Sequence, residues 1–267
     1  YELARLLDKA PAGIEVLSLD CFDTVIWRNT HEPRDVFADL PLAGGGIEPR
    51  GWAEGIARRV AQQRYGRLEV SLEEIHRTLY PRADAPDLAA SVAAELAIER
   101  DHAFAYTPAL DLIAEARRRG LRIVVVSDMY LTEAQLRDHI AAAAGPELLD
   151  AFEHVFVSQA HGCAKAGGLF DVVLKTLGVA PDRVLHVGDN PIADFEAAAR
   201  HGMHAALFEQ FDAPTLQRLR HEAVAATIVD PAARTSRALC QAHRARVSLR
   251  DRDDPAYVIG HDVVGPA

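Results

Sequence analysis

Cysteine is scarce in this sequence of 267 residues, which contains only three. Cys21, Cys163 and Cys240 lie far apart, and no Cys-x-x-Cys pair or Cys/His cluster has the spacing of a zinc site. A disulfide framework and a structural zinc site are therefore excluded. Because so few cysteines are typical of proteins in reducing compartments, we expect the protein to act in the cytoplasm.

Long apolar runs and an excess of positive charge are also missing. No stretch approaches the roughly eighteen apolar residues of a membrane-spanning helix, and the N-terminal segment lacks the basic, apolar and small-residue order of a signal peptide. Lys and Arg total 29 against 39 acidic residues, which gives a formal net charge of -10. Because nucleic-acid binding needs concentrated positive charge, neither a membrane span nor a nucleic-acid partner is expected.

Several catalytic signatures are absent as well. The sequence has no glycine-rich dinucleotide fingerprint, no Walker motif, no Gly-x-Ser-x-Gly elbow and no His-Glu-x-x-His pair. Dinucleotide-dependent enzymes, P-loop ATPases, serine hydrolases of the elbow type and zinc proteases are thereby excluded from the candidate classes.

What the sequence does contain is an alternation of short apolar runs with helical patterns. The runs are rich in β-branched residues and end at polar residues or glycine, which is typical of buried parallel strands. Helical patterns fill the connections, and Thr132 with Gln135 forms a capping box at the start of one helix. The sequence therefore predicts an α/β fold with an open parallel sheet. The predicted strands lie at 15–20, 121–127, 154–158, 183–188 and 203–208.

Residues 30–106 interrupt this alternation with three further helical patterns. These patterns are carried by Trp52, Ile56 and Val60, by the capping box of Ser71 and Glu74, and by Leu88, Val92 and Leu96. We predict a core domain of residues 1–29 and 107–212, a helical cap at 30–106 and a helical tail at 213–267. Because the chain starts at Tyr1 instead of Met and ends soon after an apolar stretch, we expect it to be a piece of a longer protein.

Acidic and hydroxyl side chains follow the predicted strands at their carboxyl ends, where ligands bind in open α/β sheets. Asp20 ends the first strand, and a carboxylate there can act as a nucleophile toward phosphorus. Ser127 can donate its hydroxyl to a phosphoryl oxygen, and Lys165 can neutralise the same group. Both residues are therefore predicted to bind phosphate.

A Mg²⁺ ion is predicted beside the nucleophile, because it would offset the repulsion between a carboxylate and a phosphate group. Its predicted ligands are Asp20, the backbone carbonyl of Phe22 and Asp189. Asp194 is predicted to be a further ligand or a support for the metal site.

The residues that follow the first strand leave alternatives open. Asp23 either caps a turn or serves as a catalytic acid or base, and Thr24 is either structural or a phosphate ligand. Trp27 and Arg28 either line the mouth of the crevice or pack the base of the insertion. His186 lies within an apolar run and is interpreted as a buried core histidine.

Four blocks of this sequence resemble the four motifs of the haloacid dehalogenase superfamily. The resemblance spans about residues 15–210 and implies a Rossmann-like, doubly wound core, a helical cap of the first insertion type, an aspartyl-phosphate intermediate and Mg²⁺. The subgroup with Asp-x-Phe-Asp-Thr and Ser-Asp-Met-Tyr-Leu also resembles modules found beside glycosyltransferases, so an adjoining glycosyltransferase or other domain is expected. The four blocks are Asp20 to Thr24, Ser127 to Leu131, Lys165, and Gly188 to Asp194.

One position departs from the family pattern. Phosphatases that this sequence resembles have an acid-base Asp two residues after the nucleophile, where Phe22 stands here. Loss of positioned proton transfer costs about 10² to 10⁴ in rate. The expected function is a magnesium-dependent phosphatase or phosphotransferase for a small phosphorylated metabolite, for example a sugar phosphate. The alternatives are a weak or non-catalytic module of a larger glycan-assembly protein and a haloacid dehalogenase.

Overall fold

The computed structural model describes residues 3–30, 33–42 and 45–208, together with the isolated positions 214, 217 and 221. Apart from those three positions, the predicted tail at 213–267 lies outside the described residues, and so does Cys240. The division into core, cap and tail stays a prediction. Within the described residues, no helix is long and apolar enough to span a membrane.

A five-stranded parallel sheet forms the centre of the fold, which confirms the predicted α/β class. Each strand forms where the sequence has its apolar, β-branched runs, and both faces of the sheet are covered, so β1 is buried at all four residues. Two shorter strands, β2 and β3, pair antiparallel to each other and form a separate sheet. The large sheet has the order β5-β4-β1-β6-β7. The strands are β1 (Val16–Leu19), β2 (Ile26–Arg28), β3 (Ala103–Ala105), β4 (Arg122–Ser127), β5 (His154–Val157), β6 (Val184–Gly188) and β7 (His204–Leu207).

Helices connect the strands of the large sheet as crossovers and fill the insertion between β2 and β3. The connection from β6 to β7 begins with one π-helical stretch at Pro191–Glu196 before it continues as α9. The α-helices are α1 (Leu6–Lys9), α2 (Ile47–Tyr65), α3 (Leu72–Leu79), α4 (Ala85–His102), α5 (Thr107–Arg118), α6 (Glu133–Ala144), α7 (Ser158–His161), α8 (Leu169–Leu177) and α9 (Ala197–Arg200).

The order of the strands decides where the candidate site lies. β1 is central, with Leu19 opposite Val125 of β4 on one side and opposite Val187 of β6 on the other. All three strands run in the same direction, so their carboxyl ends meet at one edge of the sheet. The residues that end or follow these strands are thereby brought together, although 107 positions separate Asp20 from Ser127 and 62 separate Ser127 from Asp189.

Two predicted capping boxes are confirmed. The Ser71 hydroxyl accepts a hydrogen bond from the backbone N–H of Glu74, and the Glu74 carboxylate accepts one from the backbone N–H of Ser71. Thr132 and Gln135 repeat the arrangement at the start of α6. Each box satisfies two backbone donors that a helix start would otherwise leave unpaired, and so fixes where the helix begins.

The packed face of α2 differs from what the apolar residues at helical spacing would suggest. The helix is present, but Trp52 is 64% exposed and Val60 is 41% exposed. The buried face carries Arg50 together with Ala53, Ala57 and Ala61. The three alanines let α2 pack closely against its neighbours, and Trp52 and Val60 are left exposed on other sides of the helix.

The strands β2 and β3 form the base of the insertion, a feature that the sequence patterns did not predict. Trp27 of β2 is fully buried and stacks on Tyr106, with ring centroids 4.3 Å apart. Arg28 is also buried, but it lines the candidate site. Of the two alternatives for these residues, Trp27 therefore packs the base of the insertion and Arg28 lines the crevice.

Candidate active site

A cavity of about 430 Å³ lies beyond the carboxyl ends of β1, β4 and β6. Asp20, Ser127 and Asp189 follow or end those three strands and line the cavity, as predicted from their positions. Residues of the insertion line its other side. They include Arg34, Glu54 and Glu99.

Asp20 lies at the bottom of this cavity and is only 8% exposed. Its backbone N–H donates a hydrogen bond to the carbonyl of Val187, which ties the residue to the neighbouring strand. Its carboxylate accepts a hydrogen bond from the Lys165 ammonium. Burial raises the pKa of Asp20 to about 7; Lys165 opposes this shift and the charge of Asp194 adds to it.

Lys165 is a buried cation at the carboxyl edge of the sheet, with 2% of its surface exposed. It begins a short 3-10 helix at Lys165–Gly167, and its backbone N–H donates to Asp128 Oδ1 at 2.8 Å. Its ammonium bridges Asp20 and Asp194. Burial alone would lower the pKa of Lys165, but the two carboxylates raise it above its ordinary value. Lys165 is therefore charged at neutral pH. Asp128 fixes its backbone, and the two carboxylates fix its ammonium group.

Asp194 uses both of its oxygens in contacts with the protein. Oδ1 accepts hydrogen bonds from Lys165 Nζ and from His186 Nε2, the latter at 3.2 Å. Oδ2 accepts one from the backbone N–H of Asn190 at 2.9 Å. Burial by itself would raise the pKa of Asp194, but the His186 hydrogen bond and the Lys165 charge hold it well below its usual value. Asp194 is therefore an anion that positions Lys165.

Behind Asp194, His186 is fully buried within β6, as expected for a core histidine. Its Nδ1 lies 2.8 Å from Ser18 Oγ of β1. Burial lowers the pKa of His186, so the ring is neutral. Because the ionised Asp194 can only accept, His186 donates from Nε2, and Nδ1 then accepts from the Ser18 hydroxyl.

Gly188 allows Asp194 to lie against the end of β6. A Cβ atom at position 188 would come within 2.3 Å of the Asp194 carboxyl carbon, far inside van der Waals contact. A side chain at this position would therefore displace Asp194 and, through it, Lys165.

Asp189 completes an acidic cluster with Asp20 and Asp194. One ligand atom of each residue lies within 4.8 Å of the others. Burial raises the pKa of Asp189 to about 8, and the charges of Asp20, Asp23 and Asp194 add to the shift. Carboxylate oxygens at this spacing suit a hard divalent cation such as Mg²⁺, which would relieve the repulsion among the three acids.

The turn after Asp20 places Asp23 and Thr24, two predicted site residues, in different surroundings. Asp23 adopts a left-handed backbone conformation with φ at 59°, and its N–H donates to the carbonyl of Ile26 at 2.6 Å. Its side chain lines the cavity. Thr24 is buried and is not among the cavity-lining residues, and its hydroxyl has no hydrogen-bond partner among the described residues. The structure therefore brings Asp23 to the site but leaves Thr24 behind it.

Phe22 lines the cavity and packs between charged and aromatic groups. The Arg28 guanidinium lies 4.1 Å from the centre of its ring, and the His139 ring centre lies 5.3 Å away. Burial lowers the pKa of His139 to about 4, so this histidine is neutral. Phe22 has no group that can transfer a proton. Coordination of a metal by its backbone carbonyl stays a prediction.

An ion pair between Arg28 and Glu99 borders the cavity and was not predicted from the sequence. Arg28 Nε donates to Glu99 Oε2 at 3.0 Å, and the Tyr130 hydroxyl donates to the other oxygen of Glu99 at 3.5 Å. Since 71 residues separate Arg28 from Glu99, no local pattern links them. The one available signal was the insertion itself, because its residues must meet the core wherever it covers the crevice.

Comparison with known proteins adds the family to this geometry. The family of haloacid dehalogenase-like hydrolases matches residues 14–202. The chain belongs to the haloacid dehalogenase-like hydrolase family. The superfamily membership predicted from the four motifs is thereby confirmed, whereas the subgroup found beside glycosyltransferases stays a prediction.

Two curated relatives of this family member differ in how much they cover. Haloacid dehalogenase-like hydrolase domain-containing protein 3 from Homo sapiens is 27% identical over 214 residues, which span 73% of this chain and 81% of the relative. Phosphoserine phosphatase from Thermus thermophilus is 34% identical over 122 residues. That match covers 45% of this chain and 47% of the phosphatase, so the chain aligns with about half of that enzyme's length.

A solved structure supports the fold. L-2-haloacid dehalogenase from Xanthobacter autotrophicus matches with a TM-score of 0.56 at 18% identity, and the match covers 82% of this chain and 86% of that one. At this level of identity the similarity shows a shared fold and carries no information on the reaction.

Proposed function

We propose that this family member is a magnesium-dependent phosphatase or phosphotransferase whose nucleophile is Asp20. The observation that carries the proposal is the contact of one buried ammonium, Lys165, with both Asp20 and Asp194. A phosphoryl group needs fixed positive charge where it meets an anionic nucleophile, and Lys165 provides that charge in a site shielded from water. The partial match to a phosphoserine phosphatase supports phosphorus chemistry.

The metal in this proposal would be held by Asp20 and Asp189. The three clustered carboxylates fit such an ion, but both oxygens of Asp194 are already engaged by His186, Lys165 and Asn190. Asp194 would then support the site without being a ligand. A bound Mg²⁺ would shield the charge of the phosphate from that of the nucleophile.

The proposed reaction has two displacements. An oxygen of the Asp20 carboxylate forms a bond to phosphorus as the bond from phosphorus to the leaving oxygen breaks, and an aspartyl phosphate results. Water or an acceptor hydroxyl then attacks phosphorus, and the bond from phosphorus to Asp20 breaks. The attacking group loses its proton to solvent. Lys165 and Ser127 hold the phosphoryl oxygens in both steps.

The absence of a proton donor at Phe22 has a consequence for this reaction. A leaving oxygen that receives no proton in the transition state must depart as an anion, so the rate should fall steeply as the pKa of the leaving alcohol rises. Phosphate esters of acidic alcohols and acyl phosphates are therefore expected to react faster than simple alkyl phosphates.

The size of the substrate is proposed from the cavity and its lining. A volume of about 430 Å³ suits a small metabolite. The predicted cap at 30–106 contributes Arg34, Glu54 and Glu99 to the lining, so we propose that it covers the substrate. The expected cytoplasmic location and an adjoining glycosyltransferase stay predictions.

A screen for phosphate release tests the proposal. Wild-type protein, Asp20→Asn and the matched control Asp138→Asn would be incubated with phosphorylated metabolites and aryl phosphates, with Mg²⁺ and with a chelator. Asp138 is exposed on α6, so its substitution should leave activity unchanged. Release by wild type and the control, but not by Asp20→Asn or in the chelator, is expected. Equal release of phosphate by all three proteins would contradict the assignment of Asp20.

A dehalogenase is the second candidate, and Phe22 is the observation that favours it. Displacement of halide by Asp20 needs no proton donor, so the absence of an acid at position 22 would cost nothing. The test is release of halide from 2-haloacids in the presence of a chelator. Halide release without phosphate release in the screen above would replace the phosphatase proposal with this one.

A further inference from the structure

The side of α2 opposite its alanine face carries a strip of four residues, of which three are exposed and one, Gly55, is half-buried. The strip consists of Glu48, Trp52, Gly55 and Arg59, spaced by four, three and four positions, so all four lie along one side of the helix. Trp52 is 64% exposed. Its ring offers a large, rigid apolar surface of the kind that anchors many protein interfaces.

Gly55 next to Trp52 has no evident purpose within the chain. Glycine weakens the interior of a helix, and α2 runs from Ile47 to Tyr65 with Gly55 near its centre. A Cβ atom at this position would meet nothing within 4 Å, so packing within the chain does not require glycine there. A residue without a side chain beside an exposed ring leaves a notch on the helix surface.

The two charged ends of the strip are free to pair with another molecule. Glu48 and Arg59 are both exposed, and neither forms an ion pair or hydrogen bond within the part of the chain that the structure describes. By contrast, Arg58 on the inner side of the same helix binds Glu54 at 2.9 Å. The strip therefore has an unpaired anion at its N-terminal end and an unpaired cation at its C-terminal end.

We propose that α2 is the contact surface of a homodimer, with the strip of a second copy as its partner. Two α2 helices are packed antiparallel, and the two-fold axis crosses them at the level midway between residues 53 and 54. This arrangement brings four complementary pairs together. Trp52 of each copy lies over Gly55 of the other, and Glu48 of each copy faces Arg59 of the other. A two-fold contact needs a surface that is complementary to itself, and the order acid, ring, notch, base meets that condition.

The test is the oligomeric state of the full chain, measured by sedimentation equilibrium with wild type and five variants. Wild type is expected to reach twice the mass of 29.1 kDa. Gly55→Leu fills the notch and is expected to weaken the dimer at least about tenfold while favouring the helix itself. Glu48→Arg and Arg59→Glu each place like charges opposite one another and should weaken it as well.

The double variant Glu48→Arg with Arg59→Glu distinguishes this arrangement from others, because it restores opposite charges across the axis. It is expected to recover dimer formation relative to either single variant. Arg64→Glu, on the same helix but outside the strip, is the matched control and should leave the dimer intact. A monomeric wild type, as when an adjoining domain covers the strip instead, would overturn the proposal. The proposal would also be overturned if Gly55→Leu and the two single charge variants formed the dimer as well as wild type does.

Discussion

Replacing Asp189 by Asn should stabilise the metal-free protein while abolishing its response to Mg²⁺. Asp189 lies within 4.8 Å of Asp20 and Asp194 in the acidic cluster, and burial together with these charges raises its pKa from 3.8 to about 8. The folded protein therefore retains a proton on Asp189 between these two pH values, whereas the unfolded chain loses it. Stability from this group is fully present below pH 3.8 and is lost as the pH rises through about 8.

The size of the effect follows from that shift. At about 1.4 kcal/mol per pKa unit, a rise from 3.8 to about 8 corresponds to roughly 6 kcal/mol. Asp189 is only partly buried, so water screens part of this repulsion. We expect Asp189→Asn to raise the free energy of unfolding by about 1 to 3 kcal/mol in a chelator above pH 8. The gain should shrink toward acidic pH, where the wild-type carboxyl is already protonated.

Urea unfolding followed by circular dichroism measures both parts of this prediction. Wild type, Asp189→Asn and Asp138→Asn would be unfolded in a chelator at about pH 5 and about pH 9. The same series would be repeated with Mg²⁺, which should stabilise wild type and Asp138→Asn but not Asp189→Asn. The reasoning would be refuted if Asp189→Asn were no more stable than Asp138→Asn at the higher pH, or if Mg²⁺ stabilised all three proteins equally.

Three further substitutions probe the site and the fold. Phe22→Asp should raise turnover by about 10- to 100-fold, because a carboxylate at this position can accept the proton of the attacking water in the second displacement. Arg28, whose guanidinium lies 4.1 Å from the centre of the Phe22 ring, would favour this ionised form. Phe22→Asn is the control, and equal kinetics of the two variants would count against a missing proton carrier. Gly188→Ala should lower the free energy of unfolding in urea by about 1 to 3 kcal/mol and remove most of the activity, because its Cβ would lie 2.3 Å from Asp194. Unchanged stability and activity would show that Asp194 need not stay in place. Ser71→Ala should cost about 1 kcal/mol, because the capping box of α3 is lost, and unchanged stability would show that this box contributes nothing.

The sheet and the positions of Asp20, Ser127 and Asp189 were predictable from the sequence because they depend on local patterns. A buried parallel strand needs a short apolar run, and a residue that follows such a run must lie at the carboxyl edge of the sheet. The capping box of Thr132 also involves neighbours in the sequence and was found for the same reason.

Other features depend on packing between distant segments and could not be predicted in this way. The pair of Arg28 with Glu99 joins residues 71 positions apart, and β2 pairs with β3 across the whole insertion. Thr24 belongs to the first motif but is buried and does not line the cavity. Helical spacing placed Trp52 on a helix without showing which side of that helix would be buried, because the closely packed side is formed by alanine.

Acid-quenched mass spectrometry tests the central claim most directly. Wild-type protein would be mixed with Mg²⁺ and an aryl phosphate or acyl phosphate, stopped in acid within the first turnover, digested and analysed for the peptide that contains Asp20. The account predicts that a fraction of this peptide gains the mass of one phosphoryl group, that the gain maps to Asp20, and that Asp20→Asn shows none. Release of phosphate with no phosphorylated Asp20, or with the phosphoryl group on another residue, would contradict it.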